Sequence, residues 1–355
     1  MRILIAVVNF RFLTGAELYV YELSRCLAAR GHDVTVVSEA GGLIAERARA
    51  HGVRVSGYDD VPADAGFDVL HVQEMQPARW AMERYPAVPA IATVHSQWPC
   101  EDPLLDPRIH KYVCIRPEVR DKVVGQDGIP LEKTTVVYNG IDLSRFNRFG
   151  AEPPEREQVL FAGTVDPLRR AAALDLIERS VESDFDVLFI GTRHSSHLDG
   201  PLPGNVRWIG GDVWDVERHV KACSATAGIV LGRTTIEGWA CGKPGLIYDI
   251  ELDGSIRDVG FHPPPHKDLM RQLDIEFMTD EIELLYREAV AGPPAARSAG
   301  SGLAALDELR RRPASIDVGE GRTSVLAFAD EVLRDQALLG AWASAFAGDP
   351  GATLV

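Results

Sequence analysis

From Met1 onward, short apolar runs alternate with stretches in which apolar residues recur every three or four positions. Alternation of this kind predicts parallel sheets covered by helices. In the first half it predicts strands over Arg2–Val8, Asp33–Val37, Val53–Ser56, Asp68–Val72, Ala90–His95, Lys111–Ile115 and Thr135–Tyr138, with helices between most of them. The first helix is the clearest. Thr14-Gly15-Ala16-Glu17 matches a capping box, Tyr19, Leu23, Cys26 and Leu27 then share one face, and Gly31 supplies a stop.

A polar, proline-containing stretch from Ala151 to Glu157 interrupts the pattern, which resumes with strands at Gln158–Ala162, Asp186–Ile190, Val206–Ile209, Ala225–Leu231 and Gly245–Ile250. The interruption reads as a linker between domains at residues 1–152 and 157–322. Phe261–His266, with three consecutive prolines, and the Ala/Gly/Ser/Pro-rich Ala291–Gly302 predict loops. Thr323 to about Phe346 predicts an amphipathic helix, placed by the pattern in a C-terminal segment (323–355) that packs on either domain or crosses back to the first. Two Rossmann-like, doubly wound α/β domains joined in this way predict a ligand cleft between the C-terminal ends of their sheets.

Composition narrows the class. The 355 residues, 46% of them hydrophobic, suffice for two cores. The chain has no run of 18 apolar residues, and Met1–Val8 leads into a turn without a signal-peptide cleavage site, which predicts a cytoplasmic protein. Its five cysteines are an odd set with no Cys-x-x-Cys pair, so neither a disulfide framework nor a metal site is indicated. Residues 1–150 carry 17 basic and 19 acidic groups within a net charge of −15. That balance argues against nucleic acid as a partner and, without a Lys/Arg cluster, against docking on anionic membrane.

The most informative run is Gly232-Arg233-Thr234-Thr235-Ile236-Glu237-Gly238-Trp239-Ala240-Cys241-Gly242-Lys243-Pro244, which follows a buried-strand pattern and reads as a helix opening. Free amides at a helix N-terminus attract phosphate, and a carboxylate one turn further in can accept hydrogen bonds from a sugar diol. The plainer alternative is a capped helix with an exposed glutamate. Phe161-Ala162-Gly163-Thr164 and Phe189-Ile190-Gly191-Thr192 end two strands alike, each with a glycine that serves either close ligand approach or a tight turn. A hydride-transferring dinucleotide enzyme is the rival for this layout, but Asn9–Gly15 lacks Gly-x-Gly-x-x-Gly.

Several segments, in order, resemble the GT-B glycosyltransferases of group 4. They are Gly15-Ala16-Glu17 through Gly31-His32-Asp33-Val34, Val94-His95-Ser96, Gly128-Ile129-Pro130, Tyr138-Asn139-Gly140-Ile141-Asp142 to Phe146, and Glu237 to Pro244. The likeness spans roughly residues 1–255. It implies a GT-B architecture and metal-independent, hexosyltransferase-type transfer with retention from a UDP-, GDP- or dTDP-sugar, the nucleotide sugar being a co-substrate and no further cofactor being required. The acceptor is a small molecule or glycan, in natural-product or polysaccharide biosynthesis, and high Ala, Arg and Gly usage points to a bacterial gene.

By the same resemblance, Glu237 holds the ribose, and Gly15 and Ala16 form the loop at the diphosphate. His95 reaches the transferred sugar, and Arg169 supplies charge at the family's lysine position. Gly163, Thr164, Gly191, Arg233, Thr234 and Thr235 complete the donor side. Two departures stand out. Thr164 replaces the family's arginine, and Ile229 replaces a second glutamate eight residues before Glu237. They keep open a non-catalytic, nucleotide-binding relative that partners an active transferase, and a GT-B-like epimerase for which Glu74, Glu101 and Asp102 are the available carboxylates. Glu74, Gln76 and Trp98 are acceptor-side candidates, His194 and His197 are candidates near the base, and His262 and His266 have no assigned chemistry.

Overall fold

The computed structural model describes residues 1–39, 41–98, 101–150, 154–192, 198, 200–292, 324–325 and 353–354. Seven parallel strands form the first sheet: β1 (Arg2–Ala6), β2 (Asp33–Val37), β3 (Arg54–Ser56), β4 (Val69–Val72), β5 (Ala90–Val94), β6 (Ile109–Cys114) and β7 (Thr134–Val136). Their spatial order is β3-β2-β1-β4-β5-β6-β7. The second sheet contains β8 (Gln158–Ala162), β9 (Asp186–Ile190), β10 (Val206–Ile209), β11 (Ala225–Ile229), β12 (Gly245–Ile250) and β13 (Ile256–His262), ordered β10-β9-β8-β11-β12-β13. All its neighbours are parallel except β12 and β13. The two-domain, doubly wound architecture expected from sequence is therefore present. In each sheet the strand order reverses beside the first strand of the domain, between β1 and β4 and between β8 and β11, and such reversals open crevices at the carboxyl ends of strands.

Helices α1 (Gly15–Ala29), α2 (Leu43–Ala50), α3 (Met75–Arg84) and α4 (Pro117–Gly125) serve the first domain, and α5 (Pro167–Glu182), α6 (Val216–Ala222) and α7 (Arg233–Ala240) the second. The expected capping box at α1 does not form: Thr14 is the N-cap, but its side chain makes no cap hydrogen bond. Only its carbonyl enters the helix, accepting from Leu18 N at 3.0 Å. Gly31 ends α1 with φ +84°, a conformation that glycine adopts without steric cost.

The chain then returns. After α8 (Lys267–Gln272), α9 (Ile275–Ala291) lays Met278, Ile282 and Tyr286 into the core of the first domain, against Ile3, Ile5, Tyr19, Leu23 and Leu27. Its position in the chain falls within 157–322, the range expected for the second domain. The apolar stripe at three- and four-residue spacing drives the docking, and Arg30 braces it through Glu276 at 2.6 Å, Asp280 at 2.7 Å and Glu283 at 3.1 Å.

Two expectations change, one of a loop and one of a helix. Phe261 and His262 belong to β13, which pairs antiparallel with β12 as an edge strand, and pairing stops where the prolines begin at Pro263. Ser324–Val325 form β14, which pairs with β15 (Thr353–Leu354), where a helix is expected. The rest of that helix, most of Ala291–Gly302, and the candidates His194 and His197 lie outside the described residues. Among the described residues no helix is long and apolar enough to cross a membrane.

Helix α7 sits close against β11 because Gly238 has no side chain. A Cβ there would lie 2.4 Å from Thr226 Oγ1 and 2.7 Å from Thr226 Cγ2, and Thr226 is fully buried. The related pattern carries alanine at this point, and here the threonine fills its space. Gly238→Ala is expected to destabilise the protein by about 1–3 kcal/mol through overpacking, and Thr226→Ala to recover most of the loss. Urea denaturation of the single and double variants measures both effects.

Candidate functional site

A cavity of about 580 Å³ lies between the two domains. One side is made by Phe12, Leu13, Thr14, Gly15 and Leu18 at the start of α1. The other is made by Gly163, Thr164, Asp166 and Arg169 after β8, Gly191 and Thr192 after β9, and Gly232 to Thr235 and Glu237 at the start of α7. Nine of the eleven residues expected at the site therefore share one wall system, while Ala16 and His95 stand outside the cavity lining.

The glycines are structural as well as permissive. Gly163 and Gly191 have φ of +139° and +129°, and a Cβ on Gly191 would lie 2.6 Å from the Gly163 carbonyl oxygen. The two strand ends touch, so Gly191 is required by close packing whatever approaches it. At α7, Thr234 Oγ1 donates to the Ala162 carbonyl at 2.9 Å, tying the helix start to the end of β8. Thr235 is fully buried, and its hydroxyl has no partner among the described residues. What this helix start offers a ligand is its first-turn amides rather than two free hydroxyls.

Arg169 is not free. Asp166, the N-cap of α5, accepts from the Arg169 backbone N–H at 2.9 Å and also holds the guanidinium in an ion pair. An arriving anion meets a cation that is already half satisfied. Arg233, expected beside a diphosphate, instead grips two carboxylates. Its Nε donates to Glu237 Oε1 at 2.7 Å, and its Nη1 and Nη2 donate to Glu22 at 2.9 and 2.8 Å. Burial pushes Glu237 up to about 6 against the pull of Arg233, whose own protonation is reinforced by both carboxylates.

Glu22 is the residue that sequence reading passes over. It belongs to α1, shares the face of Tyr19, Leu23 and Cys26, and is buried. A charged residue in register with an apolar stripe is the signal that it needs a partner.

His95, at the end of β5, lies on the first-domain side. Its Nε2 donates to Gln73 Oε1 at 2.6 Å, its ring packs edge-on to Tyr19 at 5.0 Å, and burial lowers its pKa to about 4. The imidazole is thus neutral, with the proton on Nε2, and its Nδ1 is buried without a partner among the described residues. A second buried histidine also packs against Tyr19. His71 lies 2.7 Å from Thr93 Oγ1 and 2.6 Å from the Tyr286 hydroxyl of α9.

The carboxylates near the β1/β4 crevice form a group. Glu74 accepts from Val8 N at 3.3 Å, and Glu17 is pushed up to about 7 by burial, with repulsion from Glu74 and Glu101 adding to it. Asp102 is drawn off to Lys122. Because folding favours the neutral form of Glu17, its contribution to stability is complete below its unfolded pKa, near 4.5, and is lost as pH rises through about 7. Glu17→Gln is expected to flatten the dependence of the thermal midpoint on pH across that interval. At about pH 8 it should be more stable than the wild type by about 1–3 kcal/mol.

Known proteins share this fold. Residues 13–145 match the family model described as Glycosyltransferase Family 4. The structure resembles Alr3699/HepE of Anabaena, solved in complex with UDP and glucose, at 14% identity over 81% of this chain and 100% of that one, with a TM-score of 0.60. It also resembles a glycosyltransferase of Rickettsia africae, at 15% identity over 82% and 99% of the two chains and a TM-score of 0.62. AviGT4, a glycosyltransferase involved in avilamycin A biosynthesis, gives 14% identity, 82% and 99% coverage and a TM-score of 0.54. No curated protein sequence matches the chain. At such identities the structural likeness establishes the fold, which is GT-B.

Proposed function

We propose that this GT-B chain, family-4-like over residues 13–145, is a retaining glycosyltransferase that moves a sugar from a nucleotide diphosphate sugar to an acceptor hydroxyl. The observation that carries this reading is the interdomain cavity. It brings the open amides of α7, the glycine-edged strand ends of the second sheet, Arg169 and the Glu237 carboxylate to the same space as the start of α1.

Breaking the anomeric bond places negative charge on the leaving nucleoside diphosphate. The α7 N-terminus, the amides at Gly15 and Ala16, and Arg169 stabilise that charge without a metal ion. Arg169 takes part once the diphosphate shares or displaces Asp166. Thr164 brings no charge, so fixed dipoles carry more of the stabilisation here than in the pattern the chain resembles. Glu237 Oε2, which has no hydrogen bond among the described residues, accepts from the ribose hydroxyls. His95, neutral and just outside the cavity lining, keeps the orienting role toward the transferred sugar that the resemblance implies. The leaving phosphate takes the acceptor's proton on the same face, so no protein nucleophile is required.

The donor is a UDP-, GDP- or dTDP-sugar, and UDP is favoured by its presence in the Anabaena structure. The acceptor, a small molecule or glycan, belongs to natural-product or polysaccharide biosynthesis in the bacterial cytoplasm. The avilamycin enzyme and a lipopolysaccharide galactosyltransferase with the same fold illustrate both settings.

The pairing of Arg169 with Asp166 favours a second reading, a nucleotide-binding relative without turnover. Incubation with a panel of nucleotide sugars and acceptors, read by release of nucleoside diphosphate, separates the two. Turnover with any donor supports the transferase. Tight nucleotide binding with no release supports the second reading, and absence of nucleotide binding removes both.

A further inference from the structure

We infer that Glu22 is a positioning residue for the donor: by holding Arg233 across the domain boundary, it couples closure of the two domains to the orientation of Glu237. The inference rests on the donor reading given above and goes beyond it, because Glu22 is not among the residues that line the cavity.

The geometry is specific. Glu22 belongs to α1 of the first domain, and Arg233 and Glu237 open α7 of the second, 211 residues further along the chain. Side-chain exposure is 1% for Glu22, 11% for Arg233 and 5% for Glu237, so the contact is almost dry. Arg233 presents its two terminal nitrogens to both oxygens of Glu22 and turns its Nε edge to Glu237 Oε1. A guanidinium is planar and rigid, so a fork on one carboxylate fixes where its remaining N–H points. Glu22 therefore sets the direction from which Glu237 is held, and with it the direction in which Glu237 Oε2 faces the cavity.

The energetics give the arrangement two states. With the domains together, one guanidinium is shared by two buried carboxylates, and the neighbouring charge of Arg145 adds to the attraction on Glu237. With the domains apart, Glu22 returns to water, and Arg233 is held only by its i,i+4 neighbour Glu237. A nucleotide that engages Glu237 in the cavity strengthens the first state, and by reciprocity the Glu22–Arg233 contact strengthens nucleotide binding. An ordinary buried ion pair would stabilise the fold and do nothing more. This one connects the ligand-facing carboxylate to the opposite domain.

A double-mutant cycle tests the inference. Titration calorimetry with whichever of UDP, GDP or dTDP the wild-type protein binds is performed on Glu22→Gln, Glu237→Gln and the double variant. Glu22→Gln is expected to weaken binding by about 10-fold, and to weaken it by less than about 2-fold further when Glu237 is already Gln. An equal factor in both backgrounds would show that Glu22 serves only the fold and would overturn the inference. Arg233→Lys keeps the charge but loses the fork, and it should weaken binding as Glu22→Gln does. It also provides the test should Glu22→Gln fail to fold. X-ray scattering supplies an independent readout: nucleotide should compact the wild-type protein and leave Glu22→Gln less compact, and equal compaction counts against the coupling. A wild-type protein that binds none of the three nucleotides defeats the donor reading itself, whereas undiminished binding by Glu22→Gln defeats the coupling alone.

Discussion

Glu237→Ala is expected to bind UDP about 10²-fold more weakly than the wild-type protein, with calorimetry as the measurement. A hydrogen bond to a charged group contributes about 1.5–3 kcal/mol, and a ribose diol offers two donors to the carboxylate. The loss exceeds what removal of an exposed glutamate would produce, because Glu237 is buried at the cavity wall and braced by Arg233. Protonation should mimic the substitution. Glu237 titrates near 6, so the affinity of the wild-type protein is expected to fall as pH drops through that value, and the alanine variant should lack this inflection. Wild-type affinity in Glu237→Ala would remove the carboxylate from the site.

Arg233→Met is expected to destabilise the protein by about 3–5 kcal/mol in urea denaturation, the largest stability effect of any single change considered. The substitution keeps most of the side-chain volume but strands Glu22 and Glu237 as two buried carboxylates facing each other, and breaking a buried pair costs far more than the pair itself contributes. Part of the loss should reappear as domain opening, which lets water reach Glu22, and scattering would register it as expansion. Adding Glu22→Gln to Arg233→Met should restore more than half of the stability. A double variant no more stable than Arg233→Met would mean that the uncompensated charge is not the cause.

The elements differ in how far the sequence disclosed them. The bounds of β2, β8, β9, β10 and β12 coincide with the expected runs. Of these, β2, β8 and β9 lie inside their sheets and are mostly buried, so they read as near-continuous apolar segments, whereas β10 is a sheet edge with Arg207 exposed. The ends of β1, β5 and β11 stop short of the apolar runs that suggested them, and Val7, Val8, His95 and Val230–Leu231 lie past the strand ends. Val230 does so at φ +46°, a conformation that β-branched residues rarely adopt and that no pattern in the sequence announces. The edge strand β13 was hidden by the prolines that follow it. Helix α9 and its docking on the first domain were not among the elements expected from the sequence, and an amphipathic stripe reveals that a helix must pack without saying on what.

The candidate site shows the same division. The glycine turns, the helix opening at Gly232 and the type of residue at 237 were all legible, since each depends on a few neighbouring residues and their local backbone chemistry. The partners of Arg233 and Arg169 were not. Asp166 lies three residues before Arg169, but whether it caps the helix or faces solvent depends on the turn after β8. Glu22 meets Arg233 only when two separately folded sheets present their crevices to each other.

By itself the sequence determined the alternation of strands and helices, the two doubly wound sheets, and the presence of a phosphate-suited helix start with a carboxylate one turn in. These follow from periodicity, glycine placement and helix-end chemistry, which act over a few residues. Only the tertiary structure decided that α9 returns to the first domain, that Arg169 is already paired, and that Arg233 joins Glu22 to Glu237 rather than standing free. Charges find partners by distance in space, and burial raises the strength of each such pairing as water is removed, so their assignment exists only once the domains have met.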